Sequence, residues 1–172
     1  MNMKFIQKYL KKNLLLDQEH VRYVPPNTIV DTDFLGPCFG IIVHDKENKR
    51  AYAGHFPNPH SGSLVLLLNK AISELGDSKN LNVYCVGSSP GGQLEDIENR
   101  YVQHTLMERN FVASTLERYG FEKSKILFRW INKPEQYAKL KFDVDSAETE
   151  YFLFSNLSTT KKHLYKGSIS DI

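Results

Sequence analysis

Short apolar runs separated by turn residues mark this chain as a series of strands interrupted by helices. Residues 28–30 and 39–44 read as strands. The charged stretch Asp45-Lys46-Glu47-Asn48-Lys49 turns the chain into a partner strand over residues 50–56. Alternation places Ala51, Ala53 and His55 on one face of that partner and Tyr52, Gly54 and Phe56 on the other. Residues 81–86, 125–130, 137–144 and 150–155 are further strands, the last two joined as a hairpin through Asp145-Ser146-Ala147-Glu148. Helical spacing predicts a helix over residues 64–75, capped by Ser61 or Ser63 and ended by Gly76. A second is predicted over about residues 106–119, with Gly120 as its stop. Residues 1–16 mix Lys4, Lys8, Lys11 and Lys12 with Phe5, Ile6, Leu10 and Leu14-Leu15-Leu16, and read as a short amphipathic helix. Pro25-Pro26-Asn27 closes that segment. The organisation predicted is an N-terminal helical extension over residues 1–24, a main domain over 25–158 and a loose basic tail over 159–172. Strand pair, helix, strand, helix and then several strands is the order of an α+β fold with mixed or antiparallel sheets and flanking helices.

Composition narrows the function classes. The chain has 172 residues, 41% hydrophobic and 24% charged, which suits one folded domain with a real core. Its 22 Lys+Arg against 20 Asp+Glu leave a net charge of +2, too balanced to argue for nucleic acid. Two cysteines, Cys38 and Cys85, make no disulfide framework and cannot build a cysteine-based zinc site, so a reduced, cytoplasmic setting is expected. No run approaches the roughly 18 apolar residues of a membrane span, so stable membrane insertion is not expected. The N-terminal stretch lacks the continuous apolar core and cleavage site of a secretory signal. The Gly87-Ser88-Ser89-Pro90-Gly91-Gly92 loop lacks the Lys-Ser/Thr of a phosphate cradle, and no cofactor or metal is implied.

The candidate chemistry lies in Thr32-Asp33-Phe34-Leu35-Gly36-Pro37-Cys38, which opens one strand, and in Gly54-His55, which closes the next. Two antiparallel strands joined by a short turn bring that cysteine and histidine side by side. A thiol beside an imidazole is the minimum equipment for covalent acyl transfer. Cys38 is then the nucleophile, and protonated His55 favours its thiolate and moves protons. Thr32 would hold one imidazole nitrogen through its hydroxyl or its carbonyl. An oxyanion needs two donors. Cys38 N–H is one; Pro37 has none to give, which turns attention to Ser88 and Ser89 in the loop after residue 86. Each residue has a plainer reading: a buried structural thiol for Cys38, a packed imidazole for His55, a strand threonine for Thr32, a simple turn for Ser88 and Ser89. Spacing favours chemistry for the first two, whereas Cys85, inside an apolar strand, is structural. His60 sits in a Pro-rich loop and ranks behind His55 as the base. His20, His44, His104 and His163 read as surface residues.

Thr32, Gly36-Pro37-Cys38, the apolar strand after it, Asp45 and Gly54-His55 stand where the CheD-type chemoreceptor glutamine deamidases carry their motif. The chain resembles that family and, more distantly, the catalytic domain of cytotoxic necrotizing factors. Tyr84-Cys85-Val86-Gly87-Ser88, Glu108-Arg109-Asn110 and Lys139-Leu140-Lys141-Phe142-Asp143-Val144-Asp145 extend the likeness across residues 28–155. It implies a CheD-like fold with the sheets packed as a sandwich, and hydrolysis of glutamine side-chain amides on a protein substrate such as a chemoreceptor. It further implies Thr32, Cys38 and His55 as the site, a regulatory chemotaxis protein as partner, and no cofactor. Arg109 and Asn110, at a helix start, would tie neighbouring loops together. Pro37 before the cysteine and the exit Phe56-Pro57-Asn58-Pro59 depart from the family pattern. They keep two alternatives open: a toxin-like deamidase or transglutaminase with another protein target, and a non-enzymatic binding module on the same scaffold.

Overall fold

In the computed structural model, residues 11–60, 62–90, 95–133 and 136–155 are described. Among the described residues, nine strands, two α-helices and two 3-10 turns follow in the order β1 (Lys12–Leu15), β2 (Val21–Val24), β3 (Thr28–Asp31), β4 (Phe39–Asp45), β5 (Arg50–Phe56), α1 (Gly62–Leu75), a turn at Ser78–Asn80, β6 (Asn82–Gly87), α2 (Glu95–Arg118), a turn at Lys123–Lys125, β7 (Ile126–Trp130), β8 (Gln136–Asp143) and β9 (Thr149–Ser155). They build a mixed α+β architecture. One sheet has the order β1-β3-β8-β9 and the other β2-β5-β4-β6-β7. The β1–β3 and β6–β7 pairs are parallel and the rest antiparallel.

Alternation sorts the second sheet into two faces. Phe39, Ile41, Val43, Tyr52 and Phe56 point to one side and pack with Leu64, Leu67, Leu68 and Ala71 of α1 and Val112 and Leu116 of α2. Cys38, Ile42, Ala51, Ala53, Tyr84 and Val86 point to the other and meet Val30, Ala138, Leu140 and Phe142 of the first sheet. The layers are therefore helices, sheet, sheet. β4 is buried on both faces, which is why it is a continuous apolar run rather than an alternating one.

Strand and helix positions follow the sequence pattern closely from residue 28 onward. α1 buries Leu64, Leu67, Leu68, Ala71 and Leu75, a single stripe at helical spacing, and Gly76 leaves it at φ +117°. Gly120, at φ +83°, ends α2. Three expectations change. Residues 12–24 are not helical: they supply β1 to one sheet and β2 to the other, so they belong to the fold rather than to an extension. Pro25 and Pro26 sit in the turn that carries the chain from the second sheet to the first. α2 starts at Glu95, about eleven residues before the predicted start, so Arg109 and Asn110 lie in mid-helix. Residues 1–10 and the predicted basic tail lie outside the described residues.

Candidate functional site

Three segments converge at one end of the second sheet. After β3 the chain runs along β8, where Leu35 exchanges backbone hydrogen bonds with Ala138 at 2.7 and 2.8 Å, and then crosses to Cys38, the residue just before β4. After β1 it makes a similar crossing, and Gln18 forms an isolated parallel bridge with His55. The end of β6 closes the third side: Ser88 N–H donates to the Cys38 carbonyl at 2.8 Å and Ser89 N–H to the Gly36 carbonyl at 2.8 Å. Gly87 makes this approach possible. Its φ is +101°, and a Cβ there would fall 2.2 Å from the Cys38 carbonyl oxygen.

Register brings Cys38 and His55 to one face. Gly40 pairs with His55 across β4 and β5, and Cys38 is two residues before Gly40. Cys38 and His55 are therefore diagonal neighbours, about 7 Å apart at the backbone, and the residue directly opposite His55 is a glycine with no side chain to cover it. Both are covered: Cys38 is 7% exposed and His55 4%. His55 Nδ1–H donates to the Leu16 carbonyl at 3.3 Å, which leaves Nε2 as the ring's basic nitrogen. That Nε2 is buried and has no hydrogen-bond partner among the described residues. Gln18 Nε2 donates to Cys38 Sγ at 3.2 Å.

The electrostatics differ from the expected thiolate–imidazolium pair. Burial pushes the Cys38 thiol pKa up, and the Gln18 hydrogen bond only partly opposes it. Burial likewise lowers the His55 pKa against the Leu16 carbonyl, Asp33 and Asp17. Both shifts favour neutral forms, so the resting pair is a thiol with a neutral imidazole and His55 is set up as a base.

Thr32 makes no hydrogen bond to the imidazole. Its hydroxyl donates to the Asp33 carbonyl at 3.2 Å and accepts from Leu140 N–H at 2.9 Å, tying the crossing segment to β8. The orienting contact comes instead from the Leu16 carbonyl. Ser88 and Ser89 are also committed elsewhere. Their N–H groups hold Cys38 and Gly36, Ser88 Oγ accepts from Arg109 Nε at 3.3 Å, and Ser89 Oγ donates to the Lys133 carbonyl at 2.8 Å. They build the wall of the site rather than an oxyanion site. Arg109 ties loops together, though from mid-helix: its guanidinium also donates to the Ser88 and Ile131 carbonyls and lies over Trp130. His60 lies with its ring tilted against that of Phe111 of α2, on the opposite side of the sheet from Cys38. Cys85 is fully buried among the helices' contacts. His44 is not a surface residue: it is fully buried between the sheets, Nε2–H donating to the Val144 carbonyl at 2.9 Å.

Backbone strain gathers here. Of the non-glycine residues with left-handed φ, Glu19 (64°), Asp33 (55°) and Ser88 (54°) all flank the convergence. Gln18 and Leu16 carried no motif. The only sign of them in sequence is that Leu14-Leu15-Leu16 gives way to the polar Asp17-Gln18-Glu19, an apolar run passing into a turn. Among the described residues no group of three or more His, Cys, Asp or Glu side chains is placed to hold a metal ion, and no helix is long and apolar enough to cross a membrane.

No protein-family model matches this chain, and no curated protein matches it. Among solved structures, a hypothetical protein YfiH of Bacillus licheniformis aligns over 67% of this chain and 51% of its own, with 11% identity and a TM-score of 0.48. A Neisseria meningitidis protein of the DUF152 family aligns over 77% of this chain and 69% of its own, with 10% identity and a TM-score of 0.48. The chain thus spans about half the length of the first of these.

Proposed function

We propose that this chain is a protein-glutamine deamidase working through a Cys38 thioester. One juxtaposition carries the reading: Cys38 and His55 share a face across Gly40, and the buried Nε2 of His55 has no partner of its own. His55 Nε2 takes the thiol proton as Sγ adds to the carboxamide carbon, and the carbonyl electron pair moves to oxygen. Collapse expels the amide nitrogen, which takes the proton from His55 and leaves as ammonia. A water then adds to the thioester while His55 accepts its proton. The thiol leaves reprotonated, and glutamine has become glutamate. The chain's own residues suffice for these steps, with no cofactor.

The finer reading is a CheD-like fold acting in the cytoplasm on chemoreceptor-type glutamines, with a regulatory chemotaxis protein as partner. It rests on the motif resemblance around Thr32, Cys38 and His55.

The test is proteome-wide mass spectrometry on cells carrying the native chain or Cys38→Ala, seeking glutamines converted to glutamate. Conversion should vanish in the variant; sites converted equally in both would end the proposal. Adding a primary amine distinguishes hydrolysis from transamidation, since capture of the thioester by the amine leaves a substituted amide instead of an acid.

A further inference from the structure

Gln18 belongs to no motif that points to the site, yet its side chain reaches the sulfur. The segment that carries it is pinned from two sides. Leu16 N–H donates to the Asp31 carbonyl at 2.9 Å and Glu19 N–H donates to the His55 carbonyl at 2.7 Å. Gln18 itself bridges the His55 strand, and Glu19 turns away in left-handed conformation. The backbone that orients the imidazole through Leu16 therefore also seats the Gln18 carboxamide two residues later.

When a thiol adds to a carbonyl, negative charge develops on the oxygen of the carbon that sulfur has just bound. A donor already within hydrogen-bond reach of that sulfur stands beside the place where the charge appears. Among the described residues, the candidates the sequence offered beside Cys38 are spent: Ser88 and Ser89 give their N–H groups to the Cys38 and Gly36 carbonyls, and Pro37 has none.

We propose that Gln18 is the second oxyanion donor, its carboxamide N–H acting with the Cys38 backbone N–H on the oxygen of the tetrahedral intermediate. This deepens the reading of Cys38 as an acyl-transfer nucleophile and is independent of which protein supplies the acyl group. The opposite role would be a plug, a carboxamide parked on the thiol that must leave before substrate enters. The two roles differ in what removing the carboxamide does to acyl transfer: loss of a donor slows it, and loss of a plug speeds it.

The experiment compares two reactions of Cys38 in the full chain. p-Nitrophenyl acetate acetylates it through a tetrahedral oxyanion: Sγ bonds to the acetyl carbon and p-nitrophenolate leaves with the electron pair of the broken C–O bond. Iodoacetamide alkylates it by direct displacement of iodide, with no oxyanion. Any change in thiolate supply affects both rates alike and cancels in their ratio. Gln18→Ala, and Gln18→Met as a longer side chain without a donor, should lower the acetylation-to-alkylation ratio about 10²-fold or more. Gln18 is exposed at the rim, so both variants are expected to fold. An unchanged ratio overturns the proposal. Faster acetylation in Gln18→Ala also overturns it and marks Gln18 as a plug. Absence of acetylation at Cys38 in the native chain removes the nucleophile and this proposal with it. Acetylation with the expected ratio change, but no protein glutamine converted, leaves Gln18 in its role and removes only the deamidase reading.

Discussion

His55 is held by a backbone carbonyl, and that choice sets its chemistry. Nδ1–H points to Leu16, so Nε2 is free to accept a proton inside a covered site. Burial lowers its pKa below the ordinary histidine value of about 6.5. The neutral, basic form therefore already predominates at that pH and above, and protonation removes it only further into acid. The acid limb of kcat/KM should lie below about pH 6.5, and a limb above it in the pH–rate profile would contradict this assignment. His55→Ala should cost about 10²–10⁴ in turnover. Cys38 and His55 were legible in sequence because alternation on two strands joined by a short turn places them on one face. Thr32 was misread because a position in a motif does not fix what its hydroxyl faces; the hydroxyl bonds the neighbouring Asp33 carbonyl and Leu140 N–H of β8, the latter over a hundred residues away. Gln18 and Leu16 left no signature, since any residue can supply a carbonyl and an exposed glutamine is unremarkable.

At the scale of elements, the site is a meeting of loop ends, and Gly87 is the position that tolerates least. Alanine there would meet the Cys38 carbonyl at 2.2 Å and would also have to adopt φ +101°. The conformation alone costs about 1–3 kcal/mol. Gly87→Ala should therefore lower stability by at least that amount in denaturant unfolding. It should also cut activity, because Ser88 could no longer hold Cys38 in place; a fully active, fully stable variant would show that the loop does not seat the nucleophile. The elements that escaped prediction have physical reasons for doing so. β1 and β2 are four residues long and lie at sheet edges, so each offers only two positions per face, too few to reveal a period of two. The apolar positions Leu10 and Leu14 then favoured a helix. The early turns of α2 were missed because residues 95–104 are mostly polar and show no apolar stripe.

At the scale of the whole molecule, His44 and His55 lie between or beside packed sheets, and both resist protonation. His44 sits edge-on to Phe142, ring centroids 5.0 Å apart, and burial depresses its pKa despite the Val144 carbonyl and nearby Asp45. His55 is depressed for the same main reason. In the unfolded chain both would titrate near 6.5, so below that pH the unfolded state binds more protons and stability falls. Above it their contribution is complete. Thermal melts between about pH 8 and 5 should show Tm dropping once pH passes below about 6.5, and His44→Gln, which keeps a donor for Val144, should make the drop shallower. A flat Tm over that range would refute the buried-neutral assignment. His44 itself was read as a surface residue because a charged turn follows it; burial of both faces of β4 overruled that local cue. Alternation, glycine and proline stops and apolar spacing were enough, unaided, to determine β3 to β9, α1, the end of α2 and the shared face of Cys38 and His55. All of these depend on side chains close in sequence. Only the tertiary structure decided that residues 12–24 enter both sheets, that Leu16 orients the imidazole, and that Gln18 reaches the sulfur. The first two are contacts of backbone groups, which are the same in every residue; the third joins two side chains 20 residues apart that no local pattern links.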